Sequence, residues 1–360
     1  MLQHIEACVV QALRRSRAGR RGWNSLKQDH SGSLSFESAR EMKTRLQGMK
    51  TTRRTAGLTM AWASLVALGG CGTPQPLLGD RYYENVTSSA PLEAKYARSG
   101  GHNVAYVEFK SERPAIGAIG AWYPQELEKN NARYPLVMVV NASNTKASMY
   151  KPFFQRLASW GFIVVGTEDA QAGTGETATI ALDFMLKAPS DSVLRDRIDT
   201  KNIGIVGYSQ GGAGAIRAVT EYRDSRAFKA MFTGSAAYPA LARTMGWTYD
   251  VAKVKIPYFM TAGTGSSDDR GVRDLATEFG GVAPLASLVE IYRGMPSNVF
   301  KVRARVVGAE HAQMQLRTDG YMTAWMRYQL QADPEAARVF VGARAELLGN
   351  SNWQDVEKNQ

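Results

Sequence analysis

Cysteine is nearly absent from this chain: there are two in 360 residues, Cys8 and Cys71, and none beyond position 71. That scarcity excludes a disulfide framework and a thiolate-based metal site from the long remainder. Histidine is almost as scarce, with four residues, of which only His102 and His311 follow Cys71. Chemistry that needs an imidazole there must use one of these two. Internal repeats and low-complexity tracts are missing, and the uncharged, largely apolar run 56–68 falls short of the roughly 20 residues that cross a bilayer. An excess of acid is also lacking, since the net charge is +11. Most of that charge sits early: residues 1–70 carry a net +8 and the rest only +3. The main domain is therefore not expected to bind nucleic acid. What remains, 44% hydrophobic and 21% charged residues, is the composition of a globular protein.

The early charge has a pattern. Lys50-Thr51-Thr52-Arg53-Arg54 precedes the apolar run, and Leu68-Gly69-Gly70-Cys71 closes it with small residues before a thiol. A basic segment, a short apolar segment and a small-residue cleavage site describe a secretory signal. With cysteine at the first mature position, the four residues resemble a bacterial lipobox. We therefore expect a signal peptide over 49–70, lipidation at Cys71 and a place in the cell envelope, facing the periplasm or exterior. Residues 1–48 are Arg-rich without periodic apolar positions and are expected to be a mis-assigned extension, with Met49 or Met42 the start. Pro74, Pro76 and Gly79 predict an irregular tether over 71–99.

From residue 100 onward the pattern changes again. Segments 104–110 and 117–123 alternate like antiparallel strands. Segments 136–140, 162–166, 203–208, 228–232 and 257–262 are mostly continuous apolar runs, the mark of strands buried on both faces, and 299–307 alternates with Lys and Arg as a strand nearer an edge would. Helical patterns at 150–160 and 177–186 lie between them, and 319–330 and 334–348 read as a helical C-terminal extension. Strand and helix alternation predicts an α/β fold: a mostly parallel central sheet flanked by helices on both faces. No segment is long enough for a large lid domain.

One of those runs ends in chemistry. Ile203-Gly204-Ile205-Val206-Gly207-Tyr208-Ser209-Gln210-Gly211-Gly212 reads as strand, sharp turn and helix, with Ser209 at the turn. A hydroxyl becomes a useful nucleophile when held exposed beside a base and an anion-binding site, and this nucleophile elbow provides such a place. Gly207 and Gly211 remove the Cβ atoms that would collide in the turn, and the Gln210 N–H opens the helix toward a developing oxyanion. In the α/β-hydrolase order the acid and then the histidine follow the nucleophile. His102 precedes Ser209 and is out of place, whereas His311 follows the 299–307 strand, where the base belongs. The acid is expected after 257–262, in Gly263-Thr264-Gly265-Ser266-Ser267-Asp268-Asp269. Asp268 is favoured, with Asp269 the alternative and free to cap a helix near Arg270; Glu310, beside His311, is a distant third. The second oxyanion N–H should come from Asn141-Ala142-Ser143-Asn144-Thr145, with Ser143 first and Asn144 next. Trp247 and Tyr238 are candidates for the cleft wall or for plain packing.

These residues carry a family resemblance. Gly207-Tyr208-Ser209-Gln210-Gly211 is similar to the elbow of cutinases. The stretch 197–212, together with Arg156-Leu157-Ala158-Ser159-Trp160-Gly161-Phe162, resembles bacterial cutinase-like polyester hydrolases and dienelactone-hydrolase-like esterases over roughly residues 103–332. The resemblance implies a catalytic Ser209, Asp268 and His311, an oxyanion hole at Ser143 and Gln210, and a monomeric enzyme cleaving carboxylic esters without metal or cofactor. The Asn141-Ala142-Ser143 loop lacks the Gly-aromatic pair typical of polyester hydrolases. The rival expectation is a catalytically silent hydrolase-fold lipoprotein that binds a ligand or envelope partner.

Overall fold

A computed structural model describes residues 79–275 and 278–360. Cys71, the signal segment and the first part of the tether lie outside the described residues. Nine strands form one sheet: β1 Val104–Lys110, β2 Ala118–Pro124, β3 Tyr134–Val140, β4 Ile163–Thr167, β5 Ile198–Tyr208, β6 Phe228–Gly234, β7 Tyr258–Gly263, β8 Lys301–Val306 and β9 Trp353–Lys358. Their order is β1-β2-β4-β3-β5-β6-β7-β8-β9. The block β4 to β8 is parallel, while β1, β2 and β9 pair antiparallel at the two ends. The helices, in chain order, are α1 Pro91–Ala97, α2 Lys151–Ala158, α3 Glu176–Leu186, α4 Gln210–Thr220, α5 Pro239–Thr244, α6 Leu285–Gly294, α7 Met314–Arg317, α8 Asp319–Gln331, α9 Pro334–Ala337 and α10 Glu346–Gly349. The expected mostly parallel sheet with flanking helices is what the chain forms.

The two-residue period of a strand sorts the core into layers. Val137, Val139, Val206, Tyr208 and Phe232 join Phe153 and Phe154 of α2 and Trp325 and Met326 of α8 in one continuous core. The intervening residues face the other side, where α4 packs on β3, β5 and β6. Central strands thus need apolar residues at nearly every position, which is why their sequence runs are continuous.

Two expectations are corrected. Residues 79–99 are not all irregular: Tyr82–Asn85 forms a short 3-10 helix and α1 packs on α8, with Tyr82 and Tyr96 buried. Pro91 opens α1, a position where its missing N–H costs nothing. The segment 334–348 is not one helix, because a turn through Gly342 at φ 81° separates α9 from α10. After it, β9 covers β8, whose outer edge is therefore not free.

The N-terminal segment is fastened by a buried ionic group. Arg156 of α2 lies 3.2 Å from Asp319 of α8, both fully buried. Arg156 also donates to Tyr82 Oη (3.1 Å), to the Tyr96 carbonyl (3.0 Å) and to Thr323 Oγ1 (2.9 Å), while the Tyr82 hydroxyl donates to Asp319. Burial pushes the Asp319 carboxyl up to about 6, although Arg156 and Tyr82 pull it down. An unfolded aspartate titrates near ~3.9, so the folded protein binds this proton more tightly. The associated stability is fully present below about pH 4 and is lost as pH rises through about 6. Relative to Asp319→Asn, whose amide does not titrate, the wild type should lose unfolding free energy across that window in urea titrations. A pH-independent difference would contradict this.

Candidate active site

At the carboxyl end of β5 the chain turns through Ser209, whose φ of 57° and ψ of −122° are rare for a residue with a Cβ. Such strain persists only where the surroundings over-determine it. Here the Ser209 N–H donates to the Gly234 carbonyl (2.9 Å), and the Ser209 carbonyl accepts from Gly212 N–H (3.0 Å). A Cβ on Gly207 would lie 2.1 Å from the Gly211 carbonyl oxygen, and one on Gly211 would lie 2.2 Å from that of Val140. Neither position accommodates a side chain, so both glycines belong to the turn itself.

His311 follows β8 and reaches back to this turn. Its Nε2 lies 2.9 Å from Ser209 Oγ, and its Nδ1 lies 2.6 Å from Asp268 Oδ1. Asp268 is fully buried, and its other oxygen accepts from the Gly263 N–H (2.7 Å) and the Ser235 hydroxyl. A carboxylate at Nδ1 only accepts, so the neutral ring carries its proton there and presents Nε2 to the serine hydroxyl. This arrangement can take the Ser209 proton and stabilise the imidazolium that results. Asp269 is directed elsewhere: it pairs with Arg305 at 2.6 Å and accepts from the N–H groups of Gly271 (2.9 Å) and Leu285 (3.2 Å). Among the described residues no helix begins near Arg270, so the expected capping role is corrected; Asp269 serves the first N–H of α6 instead. Glu310 also turns from the imidazole, toward Ser267. His102 is half-buried at the surface and lies 3.4 Å from Glu126.

The oxyanion side is assembled from three segments. Gln210 is the first residue of α4, where a backbone N–H has no partner within the helix. Its side chain is 1% exposed. Two backbone donors, Ala172 N–H (2.7 Å) and Gly173 N–H (3.0 Å), face one end of its amide, which must therefore be the oxygen. The amide nitrogen then donates to Ser143 Oγ at 2.9 Å. Of the two loop candidates, Asn144 has its N–H bonded to the Ala170 carbonyl (2.9 Å) and its side chain to Gln171 (2.8 Å). Ser143 has no such backbone commitment among the described residues. Trp247 lies against Gly173, so close that a Cβ there would meet the indole nitrogen at 2.5 Å. It thus backs the segment that holds Gln210. Tyr238 is buried, with its N–H on the Val282 carbonyl (3.1 Å). If the amide brace sets the Ser143 loop, Gln210→Ala should lower kcat on the order of 10-fold with KM little changed, since complete loss of one oxyanion donor costs roughly 100- to 1,000-fold. An unchanged kcat would show the brace to be irrelevant to turnover.

Sequence reasoning missed Ser235, Gly263 and Ser267 as partners of the acid and base. Their signal is weak, since each acts through a single hydroxyl or N–H brought in by the fold. Ser235 alone could have been suspected, as a small polar residue directly after a buried strand.

Comparison with known proteins places the chain among ester hydrolases. A PET hydrolase-like family model matches residues 86–241, a span that includes the Ser143 loop and the elbow. The chain is 26% identical to a bis(hydroxyethyl) terephthalate hydrolase of Streptomyces coelicolor, over 74% of this chain and 77% of that protein. It is also 26% identical to cutinase est1 of Thermobifida alba, over 71% and 79% of the two chains. A cutinase of Thermobifida fusca is 25% identical over 72% and 80%. With its mostly parallel nine-strand sheet, its strained serine turn and these relatives, the chain is an α/β-hydrolase that resembles the cutinase-like polyester hydrolases, and a carboxylic ester hydrolase.

Proposed function

We propose that the protein cleaves carboxylic esters through an acyl-enzyme on Ser209. His311 is the general base and then the general acid, Asp268 holds its tautomer, and the N–H groups of Ser143 and Gln210 receive the oxyanion. In the second half of the cycle His311 activates water against the acyl-enzyme. The two contacts of the His311 ring, 2.9 Å to Ser209 and 2.6 Å to Asp268, carry this proposal.

The names of the relatives, a bis(hydroxyethyl) terephthalate hydrolase and cutinases, support aromatic diesters and polyesters as substrates. The lipobox-like Leu68-Gly69-Gly70-Cys71 supports a lipid-anchored enzyme at the cell envelope. A panel of p-nitrophenyl esters graded by acyl length, with bis(hydroxyethyl) terephthalate and a polyester film, tests the substrate class. Turnover of the short esters and the diester is expected; no turnover of any ester would favour the silent, ligand-binding alternative. An unmodified peptide spanning residues 70–72 in envelope fractions would refute the anchor.

A further inference from the structure

Asp268 and His311 are each preceded by a residue that also meets its counterpart. Ser267 N–H donates to Glu310 Oε2 at 2.9 Å, and the Ser267 hydroxyl donates to the same carboxylate. The Ser267 oxygen in turn accepts the backbone N–H of His311 at 2.7 Å. The dipeptides Ser267-Asp268 and Glu310-His311 are therefore joined by two rungs, an outer one from Glu310 to Ser267 and an inner one from His311 to Asp268.

We propose that Glu310 is a positioning residue that sets the His311–Asp268 contact from outside the site. The inference rests on the assignment of those two residues to the reaction. Glu310 does not touch the imidazole, and its carboxylate is exposed. Its effect runs through Ser267, whose single hydroxyl proton is drawn to the carboxylate and whose lone pairs are thereby turned to the His311 N–H. That fixes the peptide from which the imidazole projects. The carboxylate is itself immobilised: it also accepts from the Gln313 backbone, and the Gln313 side chain returns a bond to the Glu310 N–H at 2.9 Å. Gly265 leaves room for it, since a Cβ there would lie 2.5 Å from Glu310 Cδ. The hydroxyl and then the backbone N–H of Ser267 hold the Glu310 carboxyl below its ordinary range, which keeps it an acceptor at neutral pH. An error of about 1 Å in a catalytic group can cost on the order of 100-fold in rate, so a bond that fixes the histidine peptide has a kinetic consequence.

The test compares Glu310→Ala, Glu310→Gln and Ser267→Ala in the full chain. Two readouts are needed: steady-state kinetics on a p-nitrophenyl ester and the far-downfield proton resonance of the imidazole Nδ1–H. We expect Glu310→Ala and Ser267→Ala to lower kcat on the order of 10- to 100-fold with KM within about threefold, and to shift or broaden that resonance. Glu310→Gln keeps an acceptor oxygen and should fall between them and the wild type. A lowered melting temperature with kcat and resonance unchanged would reduce Glu310 to a structural contact and overturn the inference. Should Glu310→Ala fail to fold, Glu310→Gln and Ser267→Ala decide on the same two readouts. Wild-type kcat in all three variants, with Ser209→Ala inactive, overturns the clamp alone. An active Ser209→Ala overturns the underlying assignment.

Discussion

Replacing Ser209 with alanine is expected to lower kcat on short p-nitrophenyl esters by about a million-fold, the scale seen when a serine nucleophile is removed from an intact site. The substitution deletes only the Oγ that sits 2.9 Å from His311 Nε2. It leaves the oxyanion N–H groups, so a residual rate of roughly 1,000-fold over water should survive from binding and oxyanion stabilisation. Folding should be little affected, because the strained φ of 57° is imposed by the Gly234 and Gly212 backbone bonds, which alanine retains. Circular dichroism and melting should therefore match the wild type while turnover vanishes. Residual turnover within about 100-fold of wild type would mean that another group performs the attack.

Asp268→Asn should give the second-largest loss, about 10,000-fold in kcat. Asp268 is fully buried and bonded on one oxygen to His311 and on the other to Gly263 N–H and Ser235. An asparagine amide facing Nδ1 donates rather than accepts, so the imidazole proton moves to Nε2 and points at the serine it should deprotonate. Asp269→Asn is the control one residue away. It weakens the pair with Arg305, which also bonds Asp355 of β9 at 2.8 Å, and should lower stability more than rate. Kinetics and urea denaturation of the two variants, measured side by side, distinguish the roles. Equal losses of kcat would contradict the assignment of Asp268 alone.

The elbow was legible in the sequence because its determinants are adjacent in the chain: an apolar strand, two glycines that cannot carry a Cβ, and a helix start. His311 was legible by scarcity, since only one other histidine follows Cys71. The choice between Asp268 and Asp269 was not, because neighbouring residues in a loop are separated by backbone direction and not by composition. Arg305, which binds Asp269, and Ser235, which binds Asp268, decide it from two other places in the chain. The segment holding Tyr82 and α1 was misread because Pro74, Pro76 and Gly79 stand just before it, while the partners of Tyr82 and Tyr96, Arg156, Asp319 and Asp333 among them, lie far along the chain. β9 was missed for a similar reason. Its one buried residue is Trp353, with Val356 only partly buried, and Asp355 interrupts the strand in a left-handed conformation at φ 53°.

Labelling with a fluorophosphonate probe followed by peptide mass spectrometry tests the central claim most directly, because only a serine activated by a neighbouring base reacts at a useful rate. The wild type should carry one adduct, on the peptide containing Ser209, and lose it in Ser209→Ala and largely in Asp268→Asn. An unlabelled wild type, or an adduct on a different serine, would contradict an acyl-enzyme at Ser209.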